Sequence, residues 1–271
     1  TYQYNILKRI IVKNQNCIIT GATGNLGKSI SFILAEMGFD LILTDKSLNQ
    51  LKNLKKEINK NYKCKVHIKV CDLSKETSRI NLIKYVNKNF KKLDLLINNA
   101  ALTGKKEFSN FNKKNSLKDQ SLKDWQSHIE INLTAIFHLS KDFSKLLIKS
   151  KKGKIINIGS IYAFVAPKWE LYKNLKMNNR AGYAASKGGL LQLTKWLSTY
   201  LAPDVRVNMI SPGGIYRDQT KSFKTRYVAN TPLKRMGTER DVIGSIIFLS
   251  SDLSEYVTGH NLIVDGGWST W

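Results

Sequence analysis

The sequence is poor in cysteine and histidine, and this scarcity limits its chemistry. Its 271 residues include 3 cysteines and 4 histidines, and none of them has the spacing of a metal site. An odd number of cysteines cannot all pair, and two of them lie in or beside predicted strands, so we expect Cys17, Cys64 and Cys71 to be reduced thiols. We therefore predict a cytoplasmic protein that holds no metal.

Long apolar runs are missing as well. No stretch approaches the ~20 apolar residues that a membrane-spanning helix needs, so we predict no membrane partner. Residues 1–16 scatter apolar side chains among Lys and Arg, which is typical of neither a signal peptide nor an anchor. The first residue is Thr rather than Met, from which we expect a trimmed or processed start.

Acidic residues are few, with 20 Asp and Glu against 44 Lys and Arg, which gives a net charge of +24. Such a balance can indicate nucleic-acid binding. Here the lysines are spread over nearly every predicted helix and loop, and no zinc finger, aromatic RNA-binding motif or arginine-rich arm accompanies them. We therefore predict no nucleic-acid partner.

What the chain does contain is a regular alternation of short apolar strands and amphipathic helices. We predict strands at 17–20, 41–45, 66–70, 93–100, 153–160, 207–210 and 262–264. Helices are expected from Leu26 to Met37, with Gly38 ending the helix, then at 48–61, 80–90, 125–147, 183–201 and 242–250, with residues 102–120 forming a loop and a helix start. No linker or repeat interrupts the pattern. It predicts a single α/β domain over residues 1–271, a doubly wound (Rossmann) fold whose seven-stranded parallel sheet is flanked by helices.

The first strand leads into a glycine-rich turn, Gly21-Ala-Thr-Gly-Asn-Leu-Gly27, that opens a helix. This arrangement places a pyrophosphate at a helix N-terminus. Asp45 ends the second strand eighteen positions after Gly27, where a carboxylate can bind both ribose hydroxyls of NAD and repel the 2′-phosphate of NADP. Because Lys46 acts in the opposite direction, NAD is favoured and NADP is not excluded.

Two polar residues allow two interpretations each. Asp72 follows the third strand, where it can meet an adenine amino group or cap the next helix. Asn132 lies in the middle of the long helix beside an apolar stripe. It has either a functional role in the site or a solvent-facing side chain.

A candidate acid/base pair lies on the helix that begins near residue 183. Tyr183 and Lys187 are four residues apart, so they share one helix face. A nearby ammonium favours the phenolate, so we expect Lys187 to lower the pKa of Tyr183. Ser160 ends the fifth strand, at the sheet edge where ligands bind. Taken alone, the pair is also compatible with a solvated helix face.

These motifs fall in one order over essentially the full chain, and in that order the chain resembles the short-chain dehydrogenase/reductase family. The matching residues are Thr20-Gly21 with Gly27, Asp72, Asn98-Asn99-Ala100, Asn132, Ser160, Tyr183 with Lys187, Pro212-Gly213 and Asp265-Gly266-Gly267.

The resemblance implies a role for each of these positions. Tyr183 would be the general acid/base, Lys187 would lower its pKa and bind the nicotinamide ribose, Ser160 would polarise the substrate oxygen, and Asn132 would hold a water of the proton relay. Cofactor contacts are expected from Gly21, Thr23, Gly24, Asn25, Leu26, Gly27, Asp45, Asp72, Leu73, Asn99, Ala100, Tyr183, Lys187, Pro212, Gly213 and Ile215. The resemblance also implies a homodimer or homotetramer.

The chain departs from the family pattern at three places. Asn25 stands where the turn usually has glycine, with a glycine at Gly24 instead, and we expect Asn25 to tolerate left-handed backbone angles there. The loop at 161–182 is longer than usual, so we expect it to wall the substrate pocket. Arg217 replaces the usual Thr after the Pro-Gly turn.

The loop sequence also bears on the substrate. Gly159-Ser-Ile-Tyr-Ala163 with Ala166-Pro167 and Gly188-Gly189 is similar to a bacterial subgroup of surface-sugar oxidoreductases, including those of flagellin-modifying nonulosonic acids. Arg180 and the basic residues of a loop or lid at 214–230 would suit an acidic or sugar-like small molecule. The aromatics Phe164, Trp169 and Tyr172 leave open the reduction of an acyl or other apolar ketone. A third alternative is a catalytically silent, cofactor-binding regulator.

Overall fold

The structure, a computed structural model, describes residues 6–103, 117–175 and 179–271. Most of the predicted loop and helix start at 102–120, and residues 176–178 of the predicted pocket loop, lie outside the described residues.

The described strands form a single parallel sheet in the order β3-β2-β1-β4-β5-β6-β7. Their bounds are β1 Asn16–Thr20, β2 Asp40–Asp45, β3 Val66–Val70, β4 Leu95–Asn98, β5 Gly153–Ile158, β6 Val205–Pro212 and β7 Asn261–Val264. This order reverses direction between β1 and β4, which is the switch point of a doubly wound fold. The predicted fold class is confirmed.

Helices cover both faces of the sheet. They are α1 Ile6–Ile10, α2 Asn25–Glu36, α3 Leu48–Asn61, α4 Glu76–Asn89, α5 Leu122–Ile129, α6 Ala135–Lys149, α7 Ala181–Tyr200, α8 Lys221–Ala229 and α9 Glu239–Ser250. One buried apolar cluster joins α2, α3 and α9 to residues such as Ile19, and a second joins α4, α6 and α7 to residues such as Ile18. Neighbouring strand residues point to opposite faces, so consecutive apolar residues supply both cores.

Local signals explain several helix ends. The Ser47 side chain accepts a hydrogen bond from the Gln50 amide at the start of α3, and Thr238 with Asp241 forms a capping box at the start of α9. Gly38 follows α2 with a φ of 95°, a left-handed angle that suits glycine.

Two predicted elements differ from the structure. The helix expected over 125–147 is divided into α5 and α6 by a π-helical turn at Glu130–Thr134. The prediction of an irregular loop over 214–230 is wrong for Lys221–Ala229, which forms α8. The Thr220 side chain caps α8, and Phe223 and Tyr227, one turn apart, are both buried. Their burial compensates for a weak apolar periodicity.

Within the ranges that the structure describes, no helix is both long and apolar enough to cross a bilayer.

Candidate active site

A cleft of about 840 Å³ lies at the carboxyl edge of the sheet. Most of the residues predicted to bind the cofactor or substrate line it: Gly21, Gly24, Asn25, Leu26, Gly27, Asp45, Leu73, Asn99, Ala100, Ser160, Tyr183, Lys187, Pro212, Gly213 and Ile215. Thr23, Asp72 and Asn132 lie outside its lining. The sequence therefore identified the cleft, and the three exceptions have other contacts.

The glycine-rich turn is tightly packed against the chain itself, and two of its glycines have no room for a side chain. Gly21 has a φ of 62°, and a Cβ there would lie 2.8 Å from the Ala100 Cα. A Cβ on Gly27 would lie 2.0 Å from the Gly21 carbonyl oxygen. Gly24 is the N-cap of α2, whose first turn lines the cleft. These residues fit the diphosphate of a nicotinamide dinucleotide.

Asn25 does not need the left-handed angles expected for it. It is the first residue of α2 and is absent from the positive-φ residues. The expectation was wrong because Asn25 already belongs to α2, and the residue before it, Gly24, is the N-cap with an extended φ of −68° and ψ of 162°.

Asp45 presents a carboxylate to the cleft from the end of β2. One oxygen accepts hydrogen bonds from the Thr23 amide at 2.9 Å and the Thr23 hydroxyl at 2.6 Å, and the other accepts from the Lys46 amide at 2.7 Å. Thr23 therefore acts through Asp45, which it orients. Lys46 also lines the cleft, and its Nζ lies 3.7 Å from the Asp72 carboxylate.

Asp72 has a local structural role in this conformation. Its carboxylate accepts hydrogen bonds from the Ser74 amide at 3.0 Å and the Ser74 hydroxyl at 2.7 Å. The N-cap of α4 is Lys75, so the interpretation of Asp72 as the cap of that helix is wrong. Its neighbours Cys71 and Leu73 line the cleft instead.

Ser160, Tyr183 and Lys187 come together at the centre of the cleft. Tyr183 and Ser160 both line the cleft, and Lys187 donates from Nζ to the Ile158 carbonyl at 2.7 Å. The Lys187 Nζ lies 5.8 Å from the centroid of the Tyr183 ring. Strand β5 and helix α7 thus deliver the three groups that the sequence predicted.

Burial is the largest influence on the pKa values of Tyr183 and Lys187. It raises the pKa of Tyr183, although the hydrogen bond with Ser160 opposes the shift. It also lowers the pKa of Lys187 to about 8. The predicted lowering of the Tyr183 pKa is therefore wrong for the chain itself, because desolvation raises the pKa by more than the hydrogen bond with Ser160 lowers it.

Asn132 is fully buried in the π-helical turn behind the cleft. Its Oδ1 accepts from the Leu102 amide at 2.7 Å, and its Nδ2 donates to the Leu102 carbonyl and the Ser186 hydroxyl, each at 3.1 Å. It joins α7 to the segment after β4, so its solvent-facing alternative is wrong. The π-helical turn places it there.

The two arginines of the cleft each face a carboxylate. The Arg180 Nη1 lies 3.8 Å from Asp124 Oδ2, and the Arg217 Nη2 lies 2.6 Å from Glu239 Oε1. Arg226 donates to the carbonyls of residues 170, 171 and 173. Carboxylates therefore balance the charges of Arg180 and Arg217, and Arg226 links α8 to the backbone of residues 170–173.

The predicted pocket segments at 161–182 and 214–230 do contribute to the cleft, through residues such as Ile161, Tyr162, Phe223 and Tyr227, whereas Met236 lies outside both segments and was missed. Phe223 and Tyr227, four positions apart, were the available signal for α8.

The chain is similar to known proteins over nearly its whole length. The family model described as enoyl-(acyl carrier protein) reductase matches residues 21–269. The 3-oxoacyl-(acyl-carrier-protein) reductase FabG of Buchnera aphidicola subsp. Schizaphis graminum is 30% identical over 94% of this chain and 98% of its own. The post-translational flagellin modification protein A of Campylobacter coli is 29% identical, over 95% of this chain and 99% of its own.

Among solved structures, a short chain dehydrogenase from Leptospira borgpetersenii with bound NAD+ is 28% identical and superposes with a TM-score of 0.81. The match covers 99% of this chain and 97% of that one. Sequence, fold and site geometry agree: this chain is an oxidoreductase that belongs to the short-chain dehydrogenase/reductase family.

Proposed function

We propose that this chain reduces the ketone of a 3-oxoacyl thioester with NADH. This replaces the sugar-like or acidic substrate as the leading interpretation and takes up the acyl alternative. The relative from Buchnera is named as a 3-oxoacyl reductase, and it supports this substrate class. The catalytically silent regulator is not supported, because Ser160, Tyr183 and Lys187 meet in one cleft.

The observation that carries the proposal is the character of the substrate side of the cleft. Beyond Ser160 and Tyr183 the apolar and aromatic lining consists of Ile161, Tyr162, Tyr172, Phe223, Tyr227 and Met236, and the polar lining consists of Asn179, Arg180, Arg217 and Gln219. Arg180 and Arg217, which would have bound an anionic substrate, already face Asp124 and Glu239. Such walls favour an apolar acyl group over a charged sugar.

The groups in the cleft suit carbonyl reduction. A bound nicotinamide dinucleotide supplies the hydride to the carbonyl carbon. We infer that Tyr183 gives its phenolic proton to the carbonyl oxygen, so that ketone, hydride and proton together yield the alcohol. Ser160 donates a hydrogen bond to the same oxygen. The ammonium of Lys187 stabilises the charge that develops on the Tyr183 oxygen.

NADH is favoured over NADPH because of Asp45. Its carboxylate is fixed by Thr23 and the Lys46 amide at the edge of the cleft. A 2′-phosphate placed beside it would face a like charge.

A comparison of substrates tests the proposal. The purified chain and NADH are given either the 3-oxobutanoyl thioester of N-acetylcysteamine or a keto sugar acid, and loss of reduced nicotinamide is followed by absorbance. We expect kcat/KM for the thioester to be higher by about tenfold or more, equivalent to ~1.4 kcal/mol of transition-state stabilisation. A higher value for the sugar acid would contradict the proposal and favour the function suggested by the flagellin modification relative.

A further inference from the structure

Five aromatic side chains close the substrate side of the cleft, and we call them the aromatic wall: Tyr162, Tyr172, Phe223, Tyr227 and Trp268. The hydroxyls of Tyr162 and Tyr172 lie 2.7 Å apart. Ring centroids lie 5.6 Å apart for Tyr172 and Phe223, 5.9 Å for Phe223 and Tyr227, 5.8 Å for Tyr227 and Trp268, and 6.4 Å for Trp268 and Tyr162. The contacts therefore form a complete circuit.

The aromatic wall adjoins the reacting groups. Tyr162, Tyr172, Phe223 and Tyr227 line the cleft, and Trp268 is buried behind them. The Tyr162 amide donates to the Ser160 hydroxyl oxygen at 3.2 Å. A substrate carbonyl held by Ser160 thus has its acyl chain next to these rings.

The hydroxyls of the aromatic wall are engaged in hydrogen bonds, while the Trp268 Nε1, behind the rings that line the cleft, is buried without a partner among the described residues. The Tyr162 and Tyr172 hydroxyls bond to each other, and the Tyr227 hydroxyl accepts from the Gly214 amide at 2.5 Å. Rings at these separations are in van der Waals contact, so an alkyl chain cannot pass between neighbours. Buried Ile161, Leu171 and Met236 belong to the same cluster.

Hydrogen bonds join α8 and Asn230 to the loop that carries Tyr172. Arg226 on α8 donates to the Glu170 carbonyl at 3.2 Å and the Lys173 carbonyl at 2.7 Å, in the loop that carries Tyr172. Lys168 of the same loop donates to the Asn230 side chain at 2.9 Å and lies 5.2 Å from the centroid of Trp268. The wall is therefore a fixed boundary, since displacing one ring breaks bonds between several segments.

We propose that the aromatic wall ends the acyl pocket and limits the enzyme to short 3-oxoacyl chains, with Phe223 as the main determinant. This inference rests on the proposed function. Phe223 is the ring of α8 that touches both Tyr172 and Tyr227. Its truncation to alanine would open space that further methylenes can fill.

The test compares 3-oxobutanoyl, 3-oxooctanoyl and 3-oxododecanoyl thioesters with wild type, Phe223→Ala, Phe223→Leu and Phe164→Ala. Phe164 is an aromatic of the same loop that is 38% exposed and outside the cleft lining, so it is the matched control. The quantity compared is the ratio of kcat/KM for a long chain to that for the 3-oxobutanoyl chain. Melting temperature and NADH binding show which variants fold.

We expect the wild-type ratio to be well below one. In Phe223→Ala it rises by about fourfold for each additional methylene that enters the opened space, as burial of a CH₂ group predicts. Phe223→Leu gives a smaller rise, and Phe164→Ala keeps the wild-type ratio. If Phe223→Ala does not fold, the inference is tested by whether the long-to-short ratio of kcat/KM rises in Phe223→Leu.

A wild-type enzyme that reduces long chains as well as short ones overturns the inference. An unchanged ratio in a folded Phe223 variant that binds NADH does the same. If the wild type reduces no thioester of any length, the proposed function fails. The role of the aromatic wall is then tested separately by measuring kcat/KM for short and long 2-alkanones in the same variants. A long-to-short ratio that is low in the wild type and rises in the Phe223 variants supports the inference. A ratio that does not change overturns it.

Discussion

At the scale of single residues, the site depends on the protonation state of Lys187, whose pKa is changed by burial. Its ammonium donates to the Ile158 carbonyl at 2.7 Å, yet burial lowers its pKa to about 8. The same environment raises the pKa of Tyr183, which keeps the phenol protonated and ready to donate. The two groups therefore have complementary protonation states near neutral pH.

A pH profile of reduction follows from these shifts. We expect kcat/KM to fall as the pH rises through about 8, because Lys187 loses its proton there and can no longer stabilise the developing tyrosinate. Steady-state rates in a series of buffers, with Lys187→Met as the comparison, measure this. A profile that stays flat up to pH ~10, the range of an ordinary lysine, would contradict the assignment.

Cofactor choice is a second property of a single side chain. We expect Asp45→Asn to reduce the preference for NADH over NADPH by about tenfold, a change of ~1.4 kcal/mol in relative binding free energy, since the repelling charge is removed. Dissociation constants from fluorescence titration provide the measurement. Asp40→Asn, at the opposite end of β2, is the control, and an unchanged preference in Asp45→Asn would refute the role.

At the scale of elements, α5 sets the start of the catalytic helix. The Gln120 side chain, just before α5, accepts a hydrogen bond from the Ala181 amide at 2.8 Å. The His128 ring lies 6.3 Å from the Tyr183 ring, edge to face. Gly182 lets the two helices approach, because a Cβ there would lie 3.0 Å from the Trp125 Cα. Tyr183 is thus positioned by the contact between α5 and α7.

A pair of glycine substitutions tests this packing. Gly182→Ala should lower the free energy of unfolding by about 1–3 kcal/mol through overpacking and should reduce kcat. Gly244→Ala, in α9 where nothing lies within 4 Å, should raise it by up to ~1 kcal/mol through helix propensity. Chemical denaturation measures both. Equal effects of the two substitutions would show that α5 and α7 do not need their close contact.

Elements with local signals were predictable from the sequence, and those fixed by tertiary contacts were not. The strands and α3 follow from apolar runs and caps, and the predicted range of α3 is the observed one. The π-helical turn at Glu130–Thr134 was not predictable, because it preserves an apolar spacing of three and four. Helix α8 was missed because it is stabilised by Phe223 and Tyr227 packing on a distant loop.

The candidate site divides in the same way. Gly21, Ser160, Tyr183 and Lys187 were recognisable because their residue types and spacing carry the chemistry. For the aromatic wall, the sequence indicated the loop that carries Tyr172, but not the contacts of that loop with Phe223, Tyr227 and Trp268, because these residues lie up to about a hundred positions apart and meet only in the fold. The direction of the Tyr183 pKa also required the structure, since burial decides it.

At the scale of the whole molecule, α6 and α7 leave apolar side chains uncovered. Phe137 on α6 is 43% exposed, and on α7 Trp196 and Tyr200 are 51% and 70% exposed and stack on each other at 4.8 Å. Exposed aromatics in such a group are typical of interaction surfaces. The homodimer or homotetramer expected from the sequence stays a prediction, and we expect its interface to include these side chains.

Solution mass tests that prediction. We expect light scattering to give two or four times the 30.8 kDa chain mass, and we expect Trp196→Glu to shift the mass toward the monomer by burying a charge in the interface. Trp169→Glu is the control, because Trp169 is exposed to a similar degree in the pocket loop. A monomeric wild type would make the prediction wrong.

The proposed reduction depends most directly on the phenolic proton of Tyr183. Replacing Tyr183 by Phe removes the phenolic hydroxyl and retains the ring against His128. Reduction of the 3-oxobutanoyl thioester by NADH is measured in both proteins, together with NADH binding. We expect kcat to fall by about a hundredfold or more with the NADH dissociation constant unchanged. A Tyr183→Phe enzyme that keeps most of its kcat would contradict the account.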